Sequence, residues 1–259
     1  MMEITSASNS KYKLIKSLHQ KKNRTKTRLF LAEGIKSVCD AVKAGMEIEL
    51  ALVSDDYMGT FSDIEDRKCF KLPRSLFDQA CGTVTPQGIL AAVKMPSNQI
   101  EMDLSKIYIY CDHVSDPGNL GTIIRTADAA GAGAVLLSDG CADVYAPKTV
   151  RATMGSVFHV PILEEVHTHL LKDYQKQGFD IVSGALSEGT IAYTRCDMTR
   201  PIILVVGNEA NGVSEEVLAL SNQFVKIPII GEAESLNVAV AASILLYEAH
   251  RQRQDRLSI

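Results

Sequence analysis

From Ile107 to the end, the chain repeats one pattern: a short apolar run rich in β-branched residues, a polar turn, and a segment with helical periodicity. The runs fall at 107–111, 134–138, 180–185, 202–206 and 224–228, and the helical segments at 120–130, 148–155, 166–177, 214–220 and 236–253. Continuous apolar strands must be covered on both faces, and parallel neighbours need a crossover between them. The pattern therefore predicts an α/β domain built on a mostly parallel sheet with helices on both sides.

The first hundred residues read as a separate, smaller α/β unit. Ile35, Val38, Cys39 and Val42 follow the i, i+3, i+4, i+7 rule in a helix over 34–45, and Gly45 is a stop signal. Strands follow at 48–54, 69–72 and 89–94, with a helix at 74–80. The segment MPSNQIEMD, 95–103, has little periodicity and reads as a linker. The expected domains are thus 1–98 and 104–259.

Composition excludes several classes. No apolar run approaches the roughly 18 residues of a membrane span, and the polar start MMEITSASNSKYK lacks a signal-peptide core, so a cytoplasmic protein without membrane contact is expected. The 6 cysteines are scattered without C-x-x-C spacing, which predicts reduced thiols and neither zinc nor a disulfide framework. His167 and His169, two apart on a helix, point to different sides, so no metal is expected there. The net charge of −4 conceals a basic arm. Lys11, Lys13, Lys16, Lys21, Lys22, Arg24, Lys26 and Arg28 occur with no acid between Glu3 and Glu33. Such an arm is either a solvated helix face or the contact for a polyanion.

Three constellations in the second domain carry chemistry. In CDHVSDPGNLGTIIRTADAAGA, 111–132, Leu120, Ile123, Ile124 and Ala127 form the apolar face of a helix, and Arg125 lies about 100° from Ile124, off that face. Asp128 is placed to pair with Arg125, and Asn119 is either an N-cap or a site group. In GNEANG, 207–212, Gly207 ends a strand and permits close backbone approach, while Asn208 and Glu209 bring an amide and a carboxylate to the sheet's carboxyl edge. That loop matches neither G-x-x-x-x-G-K-[ST] nor G-x-G-x-x-G, which argues against a nucleotide triphosphate and against an ordinary Rossmann enzyme. In IPIIGEAESLNVAVAA, 227–242, Ser235 is expected to start a long helix whose first turn holds Asn237. Polar loops after neighbouring strands belong where parallel sheets bind ligands.

Together these segments resemble the three motifs of the SpoU (TrmH-like) RNA 2'-O-ribose methyltransferases of the SPOUT superfamily, in order and spacing over about 150 residues. Arg28, Phe30, Glu33, Gly34 and the TPQG segment, 85–88, resemble the family's L30e-like RNA-binding domain. The resemblance implies a knotted C-terminal domain, a homodimer, and S-adenosylmethionine held by loops at 186–189, 207–212 and 227–237. Carried onto this chain, it implies donor contacts from Leu186, Gly207, Asn208, Glu209, Gly212, Ile227, Pro228, Ile229, Leu236 and Asn237. Lys21, Lys22, Arg24 and Arg28 are the expected RNA contacts. The family's common Ser is replaced by Ala239 after SLNV, a small departure.

The resemblance also makes Arg125 the catalytic arginine, with Asn119, Glu209, Ser235 and Asn237 orienting it and the ribose. Because a guanidinium stays protonated, positioning phosphate and stabilising a developing alkoxide suits Arg125 better than acting as a base. The expected substrate is RNA, 23S rRNA first and tRNA as the alternative. A silent RNA binder of the same fold is the rival reading, but it has no use for a set of donor loops.

Overall fold

The computed structural model describes residues 2–59, 64–97 and 99–257. Contacts divide the chain into two units, 1–97 with Asp143–His159, and 98–142 with Val160–Ile259. Residues 143–159, placed by the sequence in the second domain, pack with the first unit.

In chain order the first unit begins with β1 (Met2–Glu3), α1 (Ser10–Ser17), α2 (Lys21–Thr27), β2 (Leu29–Glu33) and α3 (Ile35–Lys43). It continues through β3 (Ile48–Ser54), β4 (Cys69–Leu72), α4 (Arg74–Ala80) and β5 (Ile89–Lys94). The chain then runs through β6 (Ile107–Cys111), α5 (Pro117–Ala129), β7 (Ala134–Leu137), α6 (Pro147–Ala152), β8 (Ile162–Leu163), α7 (Thr168–Lys176) and β9 (Asp180–Gly184). It ends with β10 (Ile191–Ala192), β11 (Ile202–Val206), α8 (Glu215–Leu218), β12 (Gln223–Lys226) and α9 (Val238–Leu257).

The first unit is a mixed sheet ordered β1-β4-β3-β5-β2, with β5 antiparallel to both β2 and β3. Leu31, Leu50, Leu52 and Leu90 meet Ile15, Leu18 and Phe77 of the helices in one buried cluster. The 143–159 segment docks by its aromatics: Phe30, fully buried, lies 4.8 Å from the Tyr145 ring and 6.0 Å from Phe158. Arg24 completes this seam. It is 3% exposed, donates to the Leu18 carbonyl and is ion-paired with Asp143. The expectation that Arg24 meets RNA is therefore corrected: pulling it outward would strand Asp143 and open the core.

Among the resemblance residues of this unit, Glu33, Gly34 and Gln87 hold local structure. The Glu33 carboxylate accepts the N–H groups of Gly82 and Thr83, each at 3.1 Å. The Gln87 side-chain oxygen takes the Ile35 N–H at 3.0 Å at the start of α3, and a Cβ on Gly34 would sit 2.7 Å from that oxygen. Arg28 adopts a left-handed conformation (φ 56) at the end of α2 and donates to the Pro96 carbonyl.

The second unit is a seven-stranded sheet ordered β10-β12-β9-β11-β6-β7-β8, with every pair parallel. Strands β6, β7 and β11 are buried along their whole length, as their unbroken apolar runs require. Tyr108, Tyr110, Ile203 and Val205 pack on one face with Leu171 and Tyr174 of α7 and Val217 of α8. On the other, α9 packs against β6 and β11 and lies along α5. Because the strands are all parallel, the loops after β6, β9, β11 and β12 leave the same carboxyl edge.

Expectations about helix starts are corrected at three places. Helix α5 begins at Pro117, with the Asp116 carboxylate capping it by accepting the Asn119 N–H at 2.8 Å. Asn119 is therefore inside the first turn, and its own side-chain amide is available to the site. Helix α9 begins at Val238, and Asn237 caps it: its side-chain oxygen accepts from Ala239 at 2.9 Å and Val240 at 3.3 Å. Ser235, expected to start this helix, is exposed in the loop before it. His167 precedes α7 as its N-cap residue, so its ring stacks on His169 with centroids 5.6 Å apart rather than pointing away.

Candidate active site

The loops after β6 and β11 are stitched together by one carboxylate. Glu209 accepts the Ser115 N–H and hydroxyl, each at 3.2 Å, the Asp116 N–H at 3.2 Å, and the Asn119 side-chain amide at 2.9 Å. Burial raises its carboxyl, but the Asn119 amide and the backbone N–H groups outweigh that and hold it below the usual carboxylate range. Glu209 is thus an anion fixed in place, spanning two strand ends separated by some ninety residues of chain.

The link continues. Asn237 donates its side-chain N–H to the Asn119 side-chain oxygen at 2.8 Å while capping α9 with its own oxygen. Asn237, Asn119 and Glu209 therefore form a single hydrogen-bonded chain joining the loops after β12, β6 and β11. Further along the two helices, Thr126 of α5 meets Ser243 of α9 at 3.0 Å, which keeps them in register. Arg125 is exposed on α5. Six residues past Asn119, it stands about 9 Å further along the helix axis.

The 207–212 loop is closed on itself. Asn208 and Gly212 exchange backbone hydrogen bonds, N–H to carbonyl, at 2.8 and 2.9 Å, and the Asn208 side-chain oxygen accepts from Ala210 and Asn211. A Cβ on Gly207 would fall 2.1 Å from the Gly212 carbonyl carbon, so only glycine fits there. The Asn208 amide donates to the His113 carbonyl at 2.8 Å, a further tie to the loop after β6.

The structure gathers Asn119, Glu209 and Asn237 by direct bonds and puts Arg125 on the same helix as Asn119. Ser235 lies in the adjoining loop, without the helix-starting role. Leu186 is 82% exposed, Ile230 98%, and Ile229 and Leu236 are also open. These loops thus present exposed apolar side chains beside irregular backbone, a combination suited to a ligand with a flat ring system and polar edges. Residues 227–230 and 234–237 form irregular chain, suited to presenting backbone groups. Among the described residues no cluster of three or more His, Cys, Asp or Glu side chains is arranged to hold a metal ion.

Sequence reasoning missed Asp112, Ser115 and Asp116. Asp112 is buried and accepts the Ser214 N–H at 2.7 Å, while Ser115 and Asp116 supply three of the Glu209 donors. The signal was the polar run DHVSD directly after a buried strand.

A parallel sheet with polar loops tied together at one carboxyl edge is the ligand-binding arrangement of an open α/β enzyme. Profile comparison agrees: the SpoU rRNA Methylase family matches residues 106–247, and the MRM3-like substrate binding domain matches 9–91. The chain belongs to the SpoU rRNA methylase family. It is similar to the 23S rRNA (guanosine(2553)-2'-O)-methyltransferase RlmP of Bacillus subtilis, at 41% identity over 95% of this chain and 98% of that one. The AdoMet-bound rRNA methyltransferase of Sinorhizobium meliloti superposes with a TM-score of 0.85 at 34% identity, covering 96% of this chain and 97% of that one. The AdoMet complex of the SpoU methyltransferase AviRb of Streptomyces viridochromogenes gives 0.85 at 28% identity, covering 95% and 98%.

Proposed function

We propose that this protein transfers the methyl group of S-adenosylmethionine to a ribose 2'-hydroxyl of 23S rRNA. The observation that carries the reading is the Asn237–Asn119–Glu209 chain, which locks three loops around one edge, with Arg125 exposed on the same helix as Asn119. When bound, S-adenosylmethionine supplies an already activated methyl group. Residues 186–189, 207–212 and 227–237 would hold it, Gly207, Ile227 and Leu236 among them. Ile227, Pro228 and Ile229 continue directly from β12 toward Leu236.

What remains for the protein is alignment and charge. Arg125, always protonated, binds the phosphate beside the target ribose and stabilises negative charge growing on the 2'-oxygen. Asn119 and Glu209 fix the first turn of α5 and so its direction, and Ser235 and Asn237 orient the ribose. Lys21, Lys22 and Arg28, exposed in the first unit, contact RNA phosphates.

The match to an MRM3-like substrate binding domain, the type named for the rRNA methyltransferases 3 of mitochondria, favours rRNA over tRNA. Two copies are proposed to pair through α9, whose Val240 is 47% exposed and Tyr247 50%, a hydrophobic stripe on a helix already packed on its other side. We also propose that the chain leading into α9 is threaded through a trefoil knot. No helix among the described residues is long and apolar enough to cross a membrane, and the cytoplasm, where ribosomal RNA is found, is the proposed compartment. The test is methylation of unmodified rRNA and tRNA by the purified protein, read as 2'-O-methyl nucleosides. Product in tRNA alone would replace the rRNA assignment, and donor-independent RNA binding without product would leave a silent binder.

A further inference from the structure

We propose that the loop 82–88 of the first unit reads an unstacked nucleotide of the RNA, with Val84 against the base face and Arg151 on a phosphate beside it. The inference rests on RNA being the substrate and names the feature of that RNA which this loop recognises.

Val84 stands in the middle of the loop and is 99% exposed. An apolar side chain so placed gains nothing from folding, since none of its surface leaves water.

The chain on either side of it is nevertheless firmly held. At the loop's start the Glu33 carboxylate, 4% exposed, accepts the N–H groups of Gly82 and Thr83 and also the Thr83 hydroxyl. At its end Arg74 donates to the Pro86 carbonyl at 3.2 Å, the Gln87 side chain bonds the Ile35 N–H, and the Gly88 carbonyl accepts from Ser54 at 2.9 Å. Gly88 has φ 84 and no room for a side chain, because a Cβ there would lie 2.9 Å from the Tyr57 ring. The preceding turn is tied to α1 and the residues after it: Lys16 donates to the Gln79 carbonyl, and His19 Nε2 is 2.8 Å from the Ala80 carbonyl. A loop fixed in advance loses little conformational freedom on binding.

Charge indicates what it binds. Helices α2 and α6 both pack on β2, the strand that ends in Glu33. The first brings the exposed Lys21 and Lys22, and the second brings Arg151. Arg151 lies 3.7 Å from Glu33, beyond hydrogen-bond distance of a carboxylate that already has three donors, and its side chain is 39% exposed. Its planar fork is thereby left to a phosphate. On the α4 side, Asp56 and Asp78 are both paired with Arg74.

An RNA duplex offers phosphates and 2'-hydroxyls, and an apolar side chain gains nothing from either. An unpaired nucleotide offers in addition the flat apolar face of its base, against which Val84 leaves water. Thr85, exposed beside Val84, carries a hydroxyl that both donates and accepts, the chemistry that a base edge requires.

The experiment measures binding of the full-length protein to unmodified 23S rRNA across a salt series, with a fully paired RNA duplex as second probe. Val84→Ser is expected to weaken 23S rRNA binding about 3–10-fold, with the salt slope and the duplex affinity of wild type. Its melting temperature should match wild type, because the side chain touches nothing in the fold. Val84→Ile is expected to bind 23S rRNA as wild type does. Arg151→Gln should weaken binding and reduce the logarithmic salt slope by about 0.7–0.9. Wild-type affinity of Val84→Ser for 23S rRNA would overturn the proposal, as would an equal loss on the duplex. An unchanged salt slope in Arg151→Gln would overturn the phosphate contact. Wild-type protein that binds 23S rRNA without methylating it would deny the methyl-transfer reading alone, whereas equal binding by wild type and Val84→Ser denies only the role of the loop. Wild-type protein that binds no RNA denies both.

Discussion

A guanidinium that keeps its proton acts through charge and direction alone, so Arg125 should matter to turnover far more than to binding. Arg125→Ala is expected to lower kcat by about 10²–10³-fold with unchanged donor affinity, and Arg125→Lys to recover little of it because a compact ammonium does not reproduce the planar fork. Normal turnover with normal RNA affinity in Arg125→Ala would contradict the assignment. Gly207 makes the opposite kind of claim. Its missing Cβ leaves room for the backbone of Gly212, 2.1 Å from where that atom would be, so Gly207→Ala must move the loop. We expect it to lose S-adenosylmethionine binding by calorimetry and to cost about 1–3 kcal/mol in denaturant unfolding. Full donor affinity in that variant would show that the loop is not the donor site.

Among the elements, α9 ties the site to the core, and its start and its middle are held by different chemistry. At its start, Asn237→Ala removes a cap worth about 1 kcal/mol and also the bond to Asn119, so it should lower both the melting temperature and kcat. Midway along it, Glu248 is buried and bonded by Arg251 at 2.8 and 2.9 Å. The Arg251 hydrogen bonds, opposed by burial and reinforced by Gln252, hold its carboxyl below the usual range. A carboxyl lower in the folded than in the unfolded chain gives stability that is complete above its unfolded value and is lost as pH falls through the folded one. Thermal melts taken from neutral pH into acid should therefore decline less steeply for Glu248→Gln than for wild type, and superimposable pH dependences would refute the linkage. The elements also differ in how far the sequence made them legible. Strands β3, β6 and β11 and helix α4 fall where the apolar runs placed them, because burial on both faces leaves a plain signal. The starts of α5 and α9 did not, because several polar residues precede each helix and only the side-chain bonds show which one caps it. Helix α2 went unread because its sequence KKNRTKT holds no apolar residue, and α1 because its buried Tyr12 and Ile15 span a single turn among three lysines.

At the scale of the whole molecule, the basic arm divides into two populations that the sequence presented as one. Lys21 and Lys22 are exposed at the start of α2, whereas Arg24 on the same helix is buried against Asp143. Replacing Lys21 and Lys22 with Gln should weaken RNA binding without changing donor affinity. It should also flatten the logarithmic salt dependence, by about 0.7–0.9 for each phosphate no longer neutralised. Arg24→Ala should instead destabilise the fold by about 3–5 kcal/mol, since it leaves a carboxylate without its partner. The identities of the site residues were legible from motif order, but their partners were not. Asn119 and Glu209 meet only because β11 inserts beside β6 in the sheet, a pairing no local pattern encodes. The central claim, that this site methylates ribose with S-adenosylmethionine as donor, is tested most directly by transferring labelled methyl groups to unmodified 23S rRNA and digesting the product to nucleosides. Label is expected in a 2'-O-methyl nucleoside, dependent on Arg125. Label on a base, or none in RNA that the protein demonstrably binds, would contradict it.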